Sequence, residues 1–155
     1  MSDTVPEGRR PLPLRKPQLA ERIVARRRNP VFRQLALLLG VDIPGSVVVG
    51  NDFRLYHRGR GVVIHPLATF GDRCRVFHNV TVGRSDPYLP EDARANGGVH
   101  VEDDVWLCAG AVVLAGGETL TVGRGTIVAA NAVLTRSTGE WEIWGGVPAR
   151  KIGQR

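Results

Sequence analysis

The chain reads as all-β: a parallel coil of short strands and sharp bends, a β-helix, behind a short N-terminal helical cap. Three observations predict this. First, large apolar residues fall every sixth position, at Ile64, Phe70, Val76 and Val82, then at Val101, Leu107 and Val113, and again at Val122, Val128 and Leu134. Second, the fifth place of these hexads holds a smaller side chain, as at Ala68, Cys74, Val80, Val105, Ala111, Thr126 and Ala132. Third, Gly is abundant at 19 residues and aromatic content is only 6%, which suits a backbone that bends repeatedly around a slim core. A helix repeats every ~3.6 residues and a strand every two, so neither period yields this beat. Hexapeptide repeats are the signature of a β-helix.

The elements follow in order. Pro6, Pro11 and Pro13 lie among Arg9, Arg10, Arg15 and Lys16, so residues 1–16 read as a mobile arm. From Pro17 to Arg28, Leu19, Ile23 and Val24 keep helical spacing, and Asn29-Pro30 is a natural stop. A second helix is predicted over Pro30–Leu39, ended by Gly40. Together these give a basic arm and helical cap over 1–40, covering the open first edge of the coil. The coil domain then spans 41–155. Ile43, Val49 and Leu55 open the beat, and Ile64 arrives nine residues after Leu55, so extra chain is inserted at Arg58–Val63. Residues 84–98 break the beat and are expected to project as a loop, and Gly116–Thr121 stretches one further step. Long loops on a rigid scaffold are where binding concentrates.

Charge and cysteine usage narrow the function classes. Of 21 Lys/Arg and 15 Asp/Glu, residues 1–40 hold nine and three, leaving twelve of each for 41–155. The coil is therefore neutral and carries no basic stripe for nucleic acid. A basic helix can lie on an anionic membrane; a solvated face beside a cap is the blander reading and the one adopted. Two cysteines form no disulfide framework and no CxxC spacing. Cys74 takes an inward small-residue place as core filler, and Cys108 faces outward. The apolar run Leu35–Leu39 is too short for a signal peptide or a membrane span, so a cytoplasmic protein is expected.

Four histidines, His57, His65, His78 and His100, are the candidates for chemistry. By residue type alone each reads first as a surface or satisfied polar group. No HxxxH or comparable pair occurs, so no metal site is expected.

Two runs go further. GVDIPGSVVVGNDFRLYHRGRGVVIHPLATFGDRCRVFHNVTVG resembles the serine acetyltransferase segment GVDIHP…GxGxxLDHxxGIVIG…ENVxIxQxVTxG. The later VEDDVWLCAGAVVL…VGRGTIVAANAVL…WGGVPARKI is similar to IGDGVxIGAGAxIL…VGxGAxIGAGSVVL…GVPARxI. The family is the hexapeptide-repeat acyltransferases, which implies a left-handed parallel β-helix, acetyl-CoA as co-substrate and a homotrimer. Carried over, the general base falls on His57 and its orienting aspartate on Asp42, fifteen residues earlier as in the family. A neutral imidazole would take the acceptor hydroxyl's proton as that hydroxyl attacks the thioester. The resemblance places pantetheine along Gly83, Ala109, Ala129 and Ala130, and the cofactor's phosphates near Arg150 and Lys151. Trp141 and Trp144 either stack on adenine or cover the last coil.

The departures lie on the acceptor side. Tyr56 stands where the family has a serine-binding aspartate, and Asn96-Gly97-Gly98-Val99 stands in place of its DRHP loop. The large N-terminal helical domain is reduced to about forty residues, and the docking C-terminal isoleucine is replaced by Arg155. This favours a hydroxyl of a sugar or polysaccharide precursor as acceptor. Serine is the alternative, and a non-catalytic trimeric scaffold is the reading from another class.

Overall fold

A computed structural model of the chain describes residues 16–90 and 97–155. Two helices, α1 (Leu19–Ala25) and α2 (Pro30–Leu38), precede fifteen short strands. The helices are a little shorter than the sequence predicts. At α1 the Glu21 side chain accepts from the Gln18 backbone N–H at 2.6 Å, closing a capping box. At α2 Asn29 caps the Val31 N–H and Pro30 opens the first turn. The expected arm lies in 1–16, of which only Lys16 falls within the described residues.

The strands wind through three parallel sheets in rotation, as a left-handed parallel β-helix must. One face holds β1 (Val41–Asp42), β4 (Val62–Ile64), β7 (Thr81–Arg84), β10 (Val112–Ala115) and β13 (Val133–Leu134). The second holds β2 (Val48–Val49), β5 (Ala68–Phe70), β8 (Val99–Val101) and β11 (Leu120–Val122). The third holds β3 (Arg54–Leu55), β6 (Arg75–Val76), β9 (Trp106–Leu107), β12 (Ile127–Val128), β14 (Glu142–Gly145) and β15 (Arg150–Gln154). Among the described residues only the last pair, β14 with β15, is antiparallel.

Register shows where the coil is stretched. Leu55 pairs with Val76, 21 residues on, rather than the 18 of three hexads. Val76 pairs with Leu107, 31 residues on, and Leu107 with Val128, 21 on. The surpluses of three, thirteen and three residues match the interruptions at 58–63, 84–98 and 116–121. The tip of the middle one, 91–96, lies outside the described residues, whereas its base is anchored. Arg84 and Asp86 pair at 2.7 Å, and Arg84 Nη1 donates to the Gly97 carbonyl at 2.7 Å.

The hexad leaders from Ile64 to Leu134 are all inside, none more than 3% exposed, and so are the small residues of the fifth places. Each buried Val or Leu stabilises the fold by ~1.5–3 kcal/mol. Thr126, the one polar filler, is fully buried and donates to the Gly139 carbonyl at 2.8 Å. Cys74 is a core residue whose Sγ–H points to the Glu102 carbonyl, and burial pushes its thiol up to about 12. An unreactive filler behaves this way.

The cap is tied on by buried charge. Glu21 of α1 accepts from the Leu55 N–H at 2.9 Å and pairs with Arg54, which also meets Asp52. Arg75 pairs with that same Asp52 at 2.9 Å. Every charge here has an opposite partner, the condition under which buried ions are tolerated. At the far end Trp144 is 8% exposed and its indole N–H donates to Glu142, so it covers the last coil. Among the described residues no helix is long and apolar enough to cross a membrane.

Candidate active site

The insertion after Leu55 forms the site. Rather than continuing into a bend, the chain turns left-handed at two successive non-glycine residues, His57 (φ 53°) and Arg58 (φ 64°). Such residues cost on the order of 1–3 kcal/mol each and persist where the surroundings over-determine them. Here Gly59 sits buried against Leu55, and the Gly61 N–H donates to the Gly40 carbonyl at 2.8 Å. The turn holds the His57 ring at the corner where the third face passes into the first.

One coil further on, the Leu55–Val76 register brings His78 alongside. The two imidazoles meet edge to face with centroids 4.9 Å apart. Tyr56 and Phe77 stack beside them at 4.5 Å and 9°, and Phe77 faces Trp106 at 6.3 Å. His78 Nδ1 is buried without a hydrogen-bond partner. Sequence reasoning passed over His78 as a functional residue. The available signal was its 21-residue spacing from His57, which is the length of the stretched coil.

Above the histidines the same corner carries small residues. Ala109 and Ala130 continue the His57–His78 line, each two residues beyond a paired leader, Leu107 and Val128. Cys108, Ala129 and Gly145 continue the line of Tyr56 and Phe77. Gly110 turns this corner at φ 69°, where Asn79 and Asn131 turn the neighbouring coils, and a Cβ there would sit 2.2 Å from Asn131 Oδ1. Arg150 lies opposite Gly145 at the upper end. Its neighbour Lys151 is engaged by Glu142 at 2.8 Å, which together with the Trp144 N–H holds that carboxyl below its usual range. Cys108 is half-buried, and burial pushes its thiol up, against a reactive role.

Two expected positions stand elsewhere. Gly83 lies in β7 opposite Leu114, beside Arg84, and not on the corner line. The Asp42 carboxylate meets Arg33 of α2 at 3.3 Å, and among the described residues no hydrogen bond joins it to His57. The cause is the cap: α2 packs on β1 and delivers Arg33 to that carboxylate. His65 and His100 lie away from the corner, His65 beside Arg84 and Asp86, and His100 bonded to Thr69 at 2.8 Å. Trp141 is held under Arg155, whose guanidinium lies 5.7 Å from its ring centroid. Among the described residues no group of three His, Cys, Asp or Glu converges to hold a metal ion.

No family model matches the chain. A plasmid serine acetyltransferase of Synechococcus elongatus is 39% identical over 102 residues, 63% of this chain and 31% of that one. The serine acetyltransferase of Mycobacterium tuberculosis is 34% identical over 120 residues, 76% of this chain and 48% of that one. Among solved structures, Brucella abortus serine acetyltransferase in complex with coenzyme A superposes with a TM-score of 0.70 at 25% identity. That match covers 88% of this chain and 52% of the other. The chain thus spans between a third and a half of the length of these relatives. The chain is similar in sequence and in fold to serine acetyltransferases, the hexapeptide-repeat acyltransferases that its motifs resemble.

Proposed function

We propose that this protein is an acetyl-CoA-dependent O-acetyltransferase with His57 as general base. The observation that carries the reading is the corner itself: an imidazole presented by a left-handed turn at the foot of a line of small residues that ends at Arg150. Small side chains leave the backbone of successive coils open to a narrow, extended pantetheine arm, so the residues present fit the co-substrate. When bound, acetyl-CoA supplies the activated acetyl group. His57 accepts the proton of an acceptor hydroxyl and returns it to the departing thiol. Ala109, Ala129 and Ala130 line the channel, and Arg150, which among the described residues has no ion pair and donates to the Ala149 carbonyl, is the cation for phosphate, since Glu142 engages Lys151.

Serine is the acceptor that the relatives support, since those reported above are serine acetyltransferases. Tyr56 favours a second acceptor, a sugar hydroxyl. It presents a stacked aromatic where the resemblance expects an ammonium-binding carboxylate. Exposed Val48, Val63 and Leu67 form an apolar edge between the first two faces, which supports packing as a homotrimer. Sedimentation showing only monomer at working concentration would sink the trimer. Thiol release from acetyl-CoA, measured with serine and with neutral sugars, tests the activity. Turnover that His57→Ala abolishes supports it, and no turnover with any acceptor ends it.

A further inference from the structure

The cap and the first insertion line an open pocket of about 770 Å³, which Arg58, the residue after His57, helps to form. Its walls include Leu19, Leu38 and Leu39 from the helices, Gln18 at the start of α1, and Arg58 and Arg60 from the insertion. Among the described residues none that lines it is acidic. Neither guanidinium has a hydrogen bond or ion pair among the described residues, whereas Arg54, Arg73, Arg75 and Arg84 of the coil are ion-paired. The Asp42 carboxylate of β1 is engaged by Arg33. Two guanidinium groups without an ion pair, beside exposed Leu19 and Leu38, give the mouth of this pocket a positive field.

The backbone that presents them is fixed. Arg58 is locked left-handed directly after His57, the Arg60 carbonyl accepts from the Asn79 N–H at 2.8 Å, and the Gly61 N–H holds Gly40. Arg58 directly follows His57 in the same left-handed turn, so the base and the mouth of the pocket are carried by adjacent residues. Asn96-Gly97-Gly98-Val99 stands where the family resemblance expects the loop motif that carries an arginine.

We propose that Arg58 and Arg60 form an oxyanion-binding subsite for the acceptor. The transferred acetyl group then goes to a hydroxyl on a molecule that also carries a carboxylate or phosphate. The planar forks of the two guanidinium groups suit either anion. This rests on the transferase reading above and adds the acceptor's charge to it.

The test uses matched acceptors that differ only in that charge: L-serine with L-serinamide, D-glycerate with glycerol, and glycerol 3-phosphate with glycerol. The first two pairs report a carboxylate and the third a phosphate. In wild type, kcat/KM for the charged member of at least one pair exceeds that of its neutral partner by roughly 10- to 100-fold, the range of a charge-assisted hydrogen bond. The double variant Arg58→Gln/Arg60→Gln brings that ratio close to one, and Arg58→Lys/Arg60→Lys keeps most of it. A wild-type ratio near one in all three pairs overturns the subsite, as does a ratio that the glutamine variant leaves intact. If no acceptor is acetylated, the transferase reading fails and binding alone decides the subsite. Glycerate or glycerol 3-phosphate must then shift amide resonances of residues 58–61 in wild type and not in the glutamine variant. Absence of those shifts overturns it.

Discussion

The lower and upper halves of one corner are built from opposite materials. At the lower end Tyr56, His57, Phe77 and His78 fill it with rings in mutual contact. At the upper end the same two lines of positions carry Cys108, Ala109, Ala129, Ala130 and Gly145. Both halves turn on the same buried leaders, Leu55, Val76, Leu107 and Val128, so the core does not dictate the difference. A coil that needed only to turn could use small residues throughout. Rings at one end and an open backbone at the other separate a place for proton transfer from a channel for a long, thin co-substrate.

Breaking the lower half has the largest expected effect. His57→Ala removes the base, and kcat should fall by roughly 10²- to 10⁴-fold. Because the His57 side chain is exposed, circular dichroism of that variant should match wild type. Full activity in His57→Ala would remove the distinction between the two halves.

Blocking the upper half is next. Ala130 is exposed and its side chain packs into no core, so Ala130→Leu adds bulk over the channel without overfilling the interior. KM for acetyl-CoA should rise at least about tenfold, the weight of a few lost contacts, while the melting temperature stays put. An unchanged KM would mean that the co-substrate does not run along this line.

Most of the coil was legible in the sequence because an inward position tolerates few residues. Every hexad leader from Ile64 to Leu134 is buried, and the three breaks in the beat coincide with the three stretched registers. His57 was legible through its place after Leu55 at the first break. What escaped was whatever depends on contacts between coils. His78 is unremarkable until a 21-residue turn sets its ring against His57. The pairing of Asp42 with Arg33 depends on how α2 docks, which no spacing within the coil encodes. Gly83 shares a small-residue pattern with the alanines, yet strand register sends it along β7.

A smaller effect tests the last coil, on which the upper half leans. Thr126 is the only polar filler of the fifth places, and its hydroxyl ties the Gly139 carbonyl to the core. Thr126→Val keeps the volume and removes that bond, so stability should fall by about 1 kcal/mol in denaturant titration. A more stable valine variant would show that the hydroxyl is a leftover rather than an anchor.

The smallest effect distinguishes the corner from the opposite edge of the first face, where His65 sits beside the base of the loop. Burial chiefly, with the Arg84 charge next, lowers the His65 pKa, and Asp86 opposes them. A histidine with a depressed folded pKa binds fewer protons folded than unfolded. Stability therefore rises with pH across the interval between the two values. Above about pH 6.5, the ordinary unfolded value, the full contribution is present. As pH falls below that, the unfolded chain takes up a proton that the folded one resists, and stability drains away until the lowered folded value is passed. His65→Asn should flatten the dependence of the unfolding free energy on pH from about 6.5 downward, measured by urea titration at a series of pH values. His57→Ala should leave that slope in place if the two histidines belong to separate regions. A slope that vanishes only in His57→Ala would move the titrating group to the catalytic corner and join what the coil otherwise keeps apart.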